Sequence, residues 1–324
     1  MPNDTALVPA ASRNVADAAL GGLLQHRKTL SPTLFYDEAG CRLFRLITEL
    51  PEYYLTRTER SLLTEVAPQV VAALPGQAVL VEYGASDEAK ASILLRERDR
   101  TGEPVFRGYV PIDVAAPALA ALQQRLQRAR PDLMVWPLTA DFTQGVTLPV
   151  AAFRWPRLGF FPGSTIGNLD PSAAQQFLRR ASDTLGDGSL FLVGFDLRKD
   201  PAVLVPAYDD AAGVTAAFNR NILVRLNREA DADFDVDSFA HRAIWNDVES
   251  RIEMHLESRH DQLVQIAGHT IRFAEGETIH TENSYKYSPE RFATLAAEAG
   301  WQVAQQWNDP QRRFSLHLLE QRQS

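Results

Sequence analysis

The chain has 324 residues, a formal net charge of -8 and a single cysteine, Cys41. This length can bury a substantial core and hold two domains, whereas the negative charge argues against nucleic acid and anionic membranes as partners, since both bind concentrated basic surfaces. One cysteine excludes an intramolecular disulfide and a cysteine-rich metal site, which favours a reducing compartment such as the cytoplasm.

The N-terminal stretch is not expected to be a secretory signal. Residues 1–14 contain no basic segment leading into an apolar core, so no secretory signal is predicted, and the first dozen residues are expected to be loosely attached. No apolar run approaches the roughly 20 residues that a membrane helix requires. We therefore expect a cytoplasmic protein that avoids membranes and acts as a monomer.

Helices are predicted before the first strand. An apolar stripe predicts a helix over residues 14–30, and a short helix follows at 40–50. The sequence Thr56-Arg57-Thr58-Glu59 has the form of a capping box, which predicts a helix from about Arg57 to Val71. Four aromatic residues surround the short helix, and their default interpretation is packing: Phe35, Tyr36, Tyr53 and Tyr54.

The next part of the chain alternates strands with helices. Apolar runs predict strands at residues 78–83, 109–112, 133–138, 158–161 and 189–194. One helix is predicted over residues 87–98, and a longer one ends at Pro131. Repeated β-α-β units of this length indicate a parallel, doubly wound sheet.

The pattern changes after Asp196. A helical stretch over residues 200–226 precedes alternating apolar and polar residues, which predict short antiparallel strands. Those strands are expected near residues 252–256, 263–266 and 270–273. A last helix ending at Ala299 and two strands, near 302–307 and 314–320, would extend the edge of the first sheet. Residues 197–287 are therefore interpreted as an insertion.

Three residues follow successive predicted strands: Gly84, Asp113 and Asp141. In open α/β sheets, ligands bind at the carboxyl ends of the strands. A glycine lets a ligand approach the backbone, and two carboxylates can accept hydrogen bonds from ribose hydroxyls and from an adenine amino group. Each aspartate could equally cap a helix, so the prediction of a nucleoside site depends on the three residues together.

The fourth strand leads into the segment FFPGSTIGNLDP, residues 160–171. Its glycines allow close backbone approach, and Ser164, Thr165 and Asn168 supply uncharged polar groups. Asp170-Pro171 is typical of the start of a helix. This loop is suited to a small polar ligand, although Asn168 could instead only stabilise the turn.

The loop after the first strand distinguishes between two adenosine cofactors. A dinucleotide site favours G-x-G-x-x-G, whereas this loop reads GASDEA, whose two acids would repel a pyrophosphate. The zwitterionic tail of S-adenosylmethionine tolerates these acids, and Lys90 could meet its carboxylate. The residues therefore favour S-adenosylmethionine over NAD.

Five segments of the sequence carry a family resemblance: YDEAGCRLFRLITELPEYYLTRTE, EYGASDEAK, FPGSTIGNLDP, DLRKDPAVLVPAYDDAAGVTAAFNRNILVRLNRE and TENSYKYS. Together they resemble the histidine-specific N-alpha-methyltransferases of ergothioneine biosynthesis. The resemblance implies an α/β fold, a Rossmann-like class I S-adenosylmethionine-dependent methyltransferase with an inserted α+β substrate-binding domain. The implied reaction is three successive methyl transfers from S-adenosylmethionine to the α-amine of L-histidine, giving hercynine.

Two domains are expected on this basis. Residues 59–196 and 288–324 would form the S-adenosylmethionine-binding domain, and residues 8–58 and 197–287 the substrate-binding domain.

The resemblance also implies the site residues. It assigns to the cofactor Tyr36, Gly84, Lys90, Asp113, Asp141 and Phe142. It assigns to the amino and carboxylate groups of the substrate Gly163 and three residues interpreted as catalytic: Tyr53, Asn168 and Tyr208. It assigns to the imidazole Met254, Glu282 and Ser284. Whether Tyr53 or Tyr54 contacts the substrate stays open.

The implied chemistry requires alignment more than a strong base or a metal, because methyl transfer is an in-line displacement from a sulfonium. A carboxylate beside the amine would hold its protonated form, whereas a neutral Asn168 can orient the nitrogen, and phenols can face a developing cation. If residues 282–284 are extended, Glu282 and Ser284 share one face and can hold two imidazole nitrogens. Without the resemblance, Glu282 would be interpreted as an exposed strand carboxylate.

No metal site is predicted, because the seven histidines show neither HxxxH nor HxH spacing. No Ser-His-Asp or nucleophilic-cysteine signature favours a hydrolase. The first alternative function is N-methylation of another aromatic α-amino acid. The second is a catalytically silent protein that binds S-adenosylmethionine.

Overall fold

The structure, a computed structural model, describes residues 10–85 and 87–321. Expectations for residues 1–9, for Ser86 of the GASDEA loop and for residues 322–324 lie outside the described residues. Within the described ranges, no helix is both long enough and apolar enough to cross a membrane.

The secondary structure follows the predicted alternation. The described helices are α1 Ala10–Leu23, α2 Glu38–Glu49, α3 Leu55–Ala72, α4 Ala91–Leu95, α5 Ala116–Ala129, α6 Pro171–Leu185, α7 Pro201–Leu204, α8 Val214–Glu229 and α9 Pro289–Glu298. The described strands are β1 Lys28–Thr29, β2 Ala78–Tyr83, β3 Phe106–Asp113, β4 Met134–Val135, β5 Leu138–Thr139, β6 Arg157–Phe161, β7 Leu190–Asp196, β8 Phe239–Asn246, β9 Arg251–Ser258, β10 Gln262–Ile266, β11 His269–Phe273, β12 Thr278–Tyr285, β13 Trp301–Asn308 and β14 Phe314–Gln321.

Contacts divide the chain into two compact units. The insertion unit comprises the chain up to Tyr54 together with Lys199–Ser284, and the sheet unit comprises Leu55–Arg198 together with the chain from Tyr285 onward. The expected domain boundaries differ from these by a few residues. The first boundary moves because α3 begins at Leu55 rather than near Arg57, and the whole helix belongs to the sheet unit.

The sheet unit is built on one sheet, whose described strands have the order β13-β14-β7-β6-β2-β3-β4, with β5 beside β3. Strands β2, β3, β6 and β7 pair in parallel, while β14 runs antiparallel to β7 and forms a hairpin with β13. Both faces of β2 are buried, since Leu80 joins one apolar cluster and Val79 and Val81 join another. The predicted doubly wound sheet with a terminal hairpin is confirmed.

Three predicted elements are shorter than expected. The helix predicted over residues 14–30 ends at Leu23, and residues 28–29 form β1. The strand predicted at residues 133–138 is two short strands, β4 and β5, because Pro137 lies between them and has no backbone N–H to give to a ladder. The helix predicted over residues 87–98 is reduced to α4. Asp87 accepts a hydrogen bond from the N–H of Ala89 (2.8 Å), so the chain makes a turn before the helix begins.

The insertion unit combines helices with a sheet in the order β1-β12-β9-β8 and a separate hairpin of β10 and β11. Helix α8 is joined to this sheet by Asn219, which donates to the carbonyl oxygen of His255 (3.0 Å) and accepts from Thr281 Oγ1 (2.7 Å). Strand β8 was not predicted. Its burial does not alternate regularly, so its sequence lacks the period of two that identifies a half-buried strand.

Candidate active site

The carboxyl edge of the sheet gathers four of the residues predicted to bind the cofactor. Gly84 follows β2 with φ +77°, and a Cβ added there would lie 3.6 Å from Cε1 of Phe142. The N–H of Ala140 donates to the carbonyl oxygen of Asp113 (3.0 Å), which brings Asp141 and Phe142 beside the end of β3. These residues therefore lie together at the carboxyl edge of the sheet, and their assignment to the cofactor stays a prediction.

Each of the two aspartates uses one carboxylate oxygen in a local turn. Asp113 Oδ1 accepts from the N–H of Ala115 (2.8 Å), and Asp141 Oδ1 accepts from the N–H and hydroxyl of Thr143 (2.8 and 2.6 Å). Burial raises the pKa of Asp113, against the opposing effect of the Ala115 hydrogen bond. These hydrogen bonds support the interpretation that both aspartates cap local turns.

Residues 163–168, here called the GSTIGN loop, hold a compact backbone. Ser164 is buried with φ +58°, and its Oγ accepts from the N–H of Asp196 at the end of β7 (3.0 Å). A Cβ on Gly167 would lie 2.7 Å from the carbonyl oxygen of Tyr285, so only glycine fits there without movement. Asn168 closes a 3-10 turn and is half-buried.

A buried carboxylate that the sequence reasoning missed binds this loop. Glu59 is 0% exposed, and its Oε1 and Oε2 accept from the N–H of Gly163 at 2.8 and 3.0 Å. The same Oε2 lies 2.5 Å from Nζ of Lys90. Lys90, predicted to meet the carboxylate of the cofactor, is thus paired with Glu59 in this structure.

The capping-box interpretation of Glu59 was wrong, because α3 begins at Leu55 and Glu59 is already inside the helix. The sequence did contain a usable signal. Glu59 shares the buried stripe of α3 with Leu55, Leu62, Leu63 and Val66. A charged residue at such a position requires a partner, and carboxylates are seldom buried without one.

A second buried carboxylate lies on β2. Glu82 is 2% exposed, and the hydroxyl of Tyr109 donates to its Oε2. Burial raises the pKa of Glu82 to about 8, although the Tyr109 hydrogen bond and nearby Lys90 oppose the shift. The carboxyl group is therefore mostly protonated at neutral pH.

This buried group predicts a pH-dependent stability. In the unfolded chain the Glu82 carboxyl loses its proton near pH 4.5, whereas the native state keeps it up to about pH 8. Because the native state binds more protons in this window, the free energy of unfolding should fall as pH rises through it, by a few kcal/mol at roughly 1.4 kcal/mol per pKa unit. Glu82→Gln should remove most of this fall, as measured by urea unfolding at roughly pH 5, 7 and 9. Exposed Glu65 supplies the control, Glu65→Gln. Parallel pH profiles for Glu82→Gln and the wild type would contradict the prediction.

In the insertion unit, two of the predicted substrate tyrosines contact each other. The rings of Tyr53 and Tyr208 meet edge to face, with centroids 6.1 Å apart, and the hydroxyl of Tyr208 lies 2.8 Å from Oγ of Ser284. Tyr54 has a different environment. Its ring is buried, and its hydroxyl accepts from Nζ of Lys199 (2.7 Å).

The three residues predicted to hold an imidazole are all buried, and they lie on adjacent strands. Met254 belongs to β9, and Glu282 and Ser284 belong to β12. Oγ1 of Thr281, next to Glu282, lies 3.0 Å from the carbonyl oxygen of Met254. The segment is extended as expected, and Glu282 is only 8% exposed, so the interpretation of an exposed strand carboxylate is wrong.

The predicted site residues belong to both units. The insertion unit contains Tyr36, Tyr53, Tyr208, Met254, Glu282 and Ser284, and the sheet unit contains Gly84, Lys90, Asp113, Asp141, Phe142, Gly163 and Asn168. Tyr36 is 42% exposed, and its ring meets those of Phe44 and Phe218 edge to face. Its assignment to the cofactor stays a prediction.

The fold also gathers three groups that the sequence spacing did not connect. Atoms of Glu253, His255 and His280 that could bind a metal lie within 4.8 Å of one another. The guanidinium of Arg251 lies 2.6 Å from Oε1 of Glu253 and balances its charge. Burial alone would raise the pKa of Glu253, but hydrogen bonds from Asn246, Arg251 and His255 lower this pKa to about 2. Ion pairs with Arg251 and His255 therefore account for Glu253, and the ring of His280 stacks on that of His255 with centroids 4.6 Å apart.

Comparison with known proteins identifies related chains. The family described as "Histidine-specific methyltransferase, SAM-dependent" matches residues 15–321. Histidine N-alpha-methyltransferase from Mycolicibacterium smegmatis is 43% identical over 92% of both chains, and the protein of the same name from Mycobacterium tuberculosis is 41% identical over 92% of both. Ergothioneine biosynthesis protein 1 from Neurospora crassa is 28% identical over 90% of this chain and 33% of its own length. The family match spans the sheet unit and the insertion unit.

Proposed function

The chain belongs to the family of histidine-specific, S-adenosylmethionine-dependent methyltransferases, and we propose that it methylates the α-amine of L-histidine three times to give hercynine. The observation that carries this proposal is the family match over residues 15–321, which includes every predicted site residue. The doubly wound sheet is that of a Rossmann-like class I methyltransferase. S-adenosylmethionine, when bound, supplies the methyl group as an electrophilic sulfonium.

The carboxyl edge of the sheet suits the nucleoside of this cofactor. We assign Asp113 to the ribose hydroxyls and Asp141 to the adenine amino group, with Phe142 against the ring and Gly84 allowing close approach. The Oδ1 atoms are used in turns, so the Oδ2 atoms would make these contacts. Lys90 would meet the carboxylate of the methionine tail.

The GSTIGN loop is assigned to the amino group of histidine. Since the N–H of Gly163 donates to Glu59, Gly163 would contact the substrate amine by accepting a hydrogen bond at its carbonyl oxygen. Carbonyl and amide oxygens accept from an amine without a full negative charge, so they orient the nitrogen and raise its pKa less than a carboxylate would. Asn168 would serve in the same way, which suits an amine that must lose protons between successive transfers.

The phenols are assigned to the charged groups of the substrate. The ring of Tyr53 packs against that of Tyr208, which is itself assigned to the substrate, and this contact supports Tyr53 as the contacting ring. Phenol rings can also face the cation that grows as the amine becomes quaternary.

Glu282 and Ser284 are assigned to the two imidazole nitrogens, with Met254 as an apolar wall. A buried carboxylate and hydroxyl penalise a side chain that cannot reciprocate their hydrogen bonds, which gives selectivity for histidine. The contact between Tyr208 and Ser284 connects this imidazole pocket to the residues assigned to the carboxylate.

Calorimetry would test the substrate directly. With S-adenosylhomocysteine present, histidine should bind, and tryptophan and tyrosine should bind at least about 10-fold more weakly because neither carries two ring nitrogens to meet both Glu282 and Ser284. Mass spectrometry of the product formed with S-adenosylmethionine should show three added methyl groups. Preferred binding of tryptophan or tyrosine would support the alternative of another aromatic amino acid, and absence of methylated product would support a silent binding protein.

A further inference from the structure

We propose that Glu59 is a positioning residue that fixes Lys90 and the GSTIGN loop for cofactor and substrate. The inference rests on the proposed function for the roles of Lys90 and Gly163. Glu59 itself needs no contact with either ligand. Its carboxylate accepts from the N–H of Gly163 through both oxygens and from Nζ of Lys90, so one buried group connects a predicted cofactor residue to a predicted substrate residue.

The sheet makes room for this carboxylate. Gly194 lies within β7, and a Cβ built there would be 2.5 Å from Oε1 of Glu59, closer than any side chain could remain without movement. A second constraint acts at Gly163, where φ is +82° and an added Cβ would lie 3.2 Å from Nζ of Lys90. Two glycines therefore leave the space in which Glu59, Lys90 and the loop meet.

The positive charge of Lys90 explains why a carboxylate is buried at position 59. Glu59 is fully buried, and the side chain of Lys90 is 19% exposed, so the ammonium would be held poorly without a fixed negative partner. An ammonium group has three donors, and a bond to Glu59 leaves two for another acceptor. Glu59 can therefore anchor Lys90 while Lys90 binds the carboxylate of S-adenosylmethionine. Holding Lys90 in one position also lowers the entropy lost when the cofactor binds.

The test compares single and paired neutral substitutions. Glu59→Gln keeps the size of the side chain and one acceptor for Gly163, but it removes the charge that holds Lys90. We expect the dissociation constant of S-adenosylhomocysteine to rise about 10-fold or more in calorimetry. The double variant Glu59→Gln/Lys90→Gln contains no unpaired buried charge, so its thermal stability should return close to that of the wild type. Its S-adenosylhomocysteine affinity should stay as low as that of Glu59→Gln.

A comparison with Lys90→Gln alone separates positioning from a purely structural role. If Glu59 acts through Lys90, the double variant should bind S-adenosylhomocysteine as weakly as Lys90→Gln alone, whereas a further loss of affinity in the double variant would show that Glu59 acts by another route and would overturn the proposal. Wild-type affinity in Glu59→Gln would overturn it too. Glu65→Gln, on the exposed side of α3, is the matched control and should bind S-adenosylhomocysteine like the wild type. Because the readout uses no amino acid substrate, it stands even if histidine is not the substrate.

Discussion

Replacing Glu282 by alanine is expected to weaken histidine binding about 100-fold while leaving S-adenosylhomocysteine binding within about twofold of the wild type. The carboxylate is 8% exposed on β12, so its removal would leave an imidazole N–H buried without an acceptor. A loss of this size corresponds to about 2.7 kcal/mol, which is the range for a buried hydrogen bond to a charged group. Calorimetry with S-adenosylhomocysteine present measures the histidine affinity, and a separate titration measures the cofactor product.

Selectivity should change along with affinity in Glu282→Ala. Tryptophan and tyrosine lack a pair of ring nitrogens that could meet both Glu282 and Ser284, so their binding should fall less than that of histidine or should improve. Glu275→Ala is the control, because Glu275 is exposed in the turn before β12. Glu282→Gln keeps an acceptor and should retain part of the affinity. Histidine binding and turnover unchanged from the wild type in Glu282→Ala would refute the imidazole assignment.

Replacing Asp113 by alanine should weaken S-adenosylhomocysteine binding by about 10- to 100-fold, because two ribose hydroxyls would lose a charged acceptor. Asp113 ends β3 at the carboxyl edge of the sheet, where burial raises its pKa. Its Oδ1 also accepts from the N–H of Ala115, so the alanine variant loses a turn contact as well. Direct titration calorimetry with S-adenosylhomocysteine measures the effect.

The asparagine variant separates these two contributions for Asp113. Asp113→Asn can still accept from the N–H of Ala115, but it offers the ribose an amide in place of a carboxylate. Its affinity should stay well below that of the wild type if Asp113 binds the ribose. Asp132→Ala, an exposed position before β4, is the control. Wild-type affinity in both Asp113 variants would show that the ribose lies elsewhere.

Local sequence predicted the elements that are buried on both sides. The strand predicted over residues 78–83 matches β2 residue for residue, because all of its side chains are apolar or buried and the run is bounded by glycines. The strand predicted at residues 133–138 failed where Pro137 interrupts the ladder. Strand β8 was missed because its residues are buried irregularly, so its sequence does not alternate between apolar and polar residues. Periodicity predicts an element only when burial is regular.

The candidate site also contains some residues that the sequence could associate and others that it could not. Strand order in an α/β sheet brings the carboxyl ends together, so Gly84, Asp113 and Asp141 could be associated from the sequence. The partner of Lys90 could not be identified from the sequence. Glu59 lies 31 residues before Lys90, on an earlier helix, and its sequence context had been interpreted as a capping box. Glu82 and Tyr109 were missed for a similar reason, since neighbouring strands are paired only in the folded sheet.

The sequence by itself determined the doubly wound sheet, the cofactor class and the family, because apolar periodicity, strand-end residues and motifs are properties of short segments. Tertiary structure decided which buried charges meet. Glu59 was matched with Lys90 and Gly163, and Tyr208 with Ser284, across separations of 31 to 104 residues. A buried carboxylate or hydroxyl must find its partner wherever the fold brings one, and no local pattern records that distance.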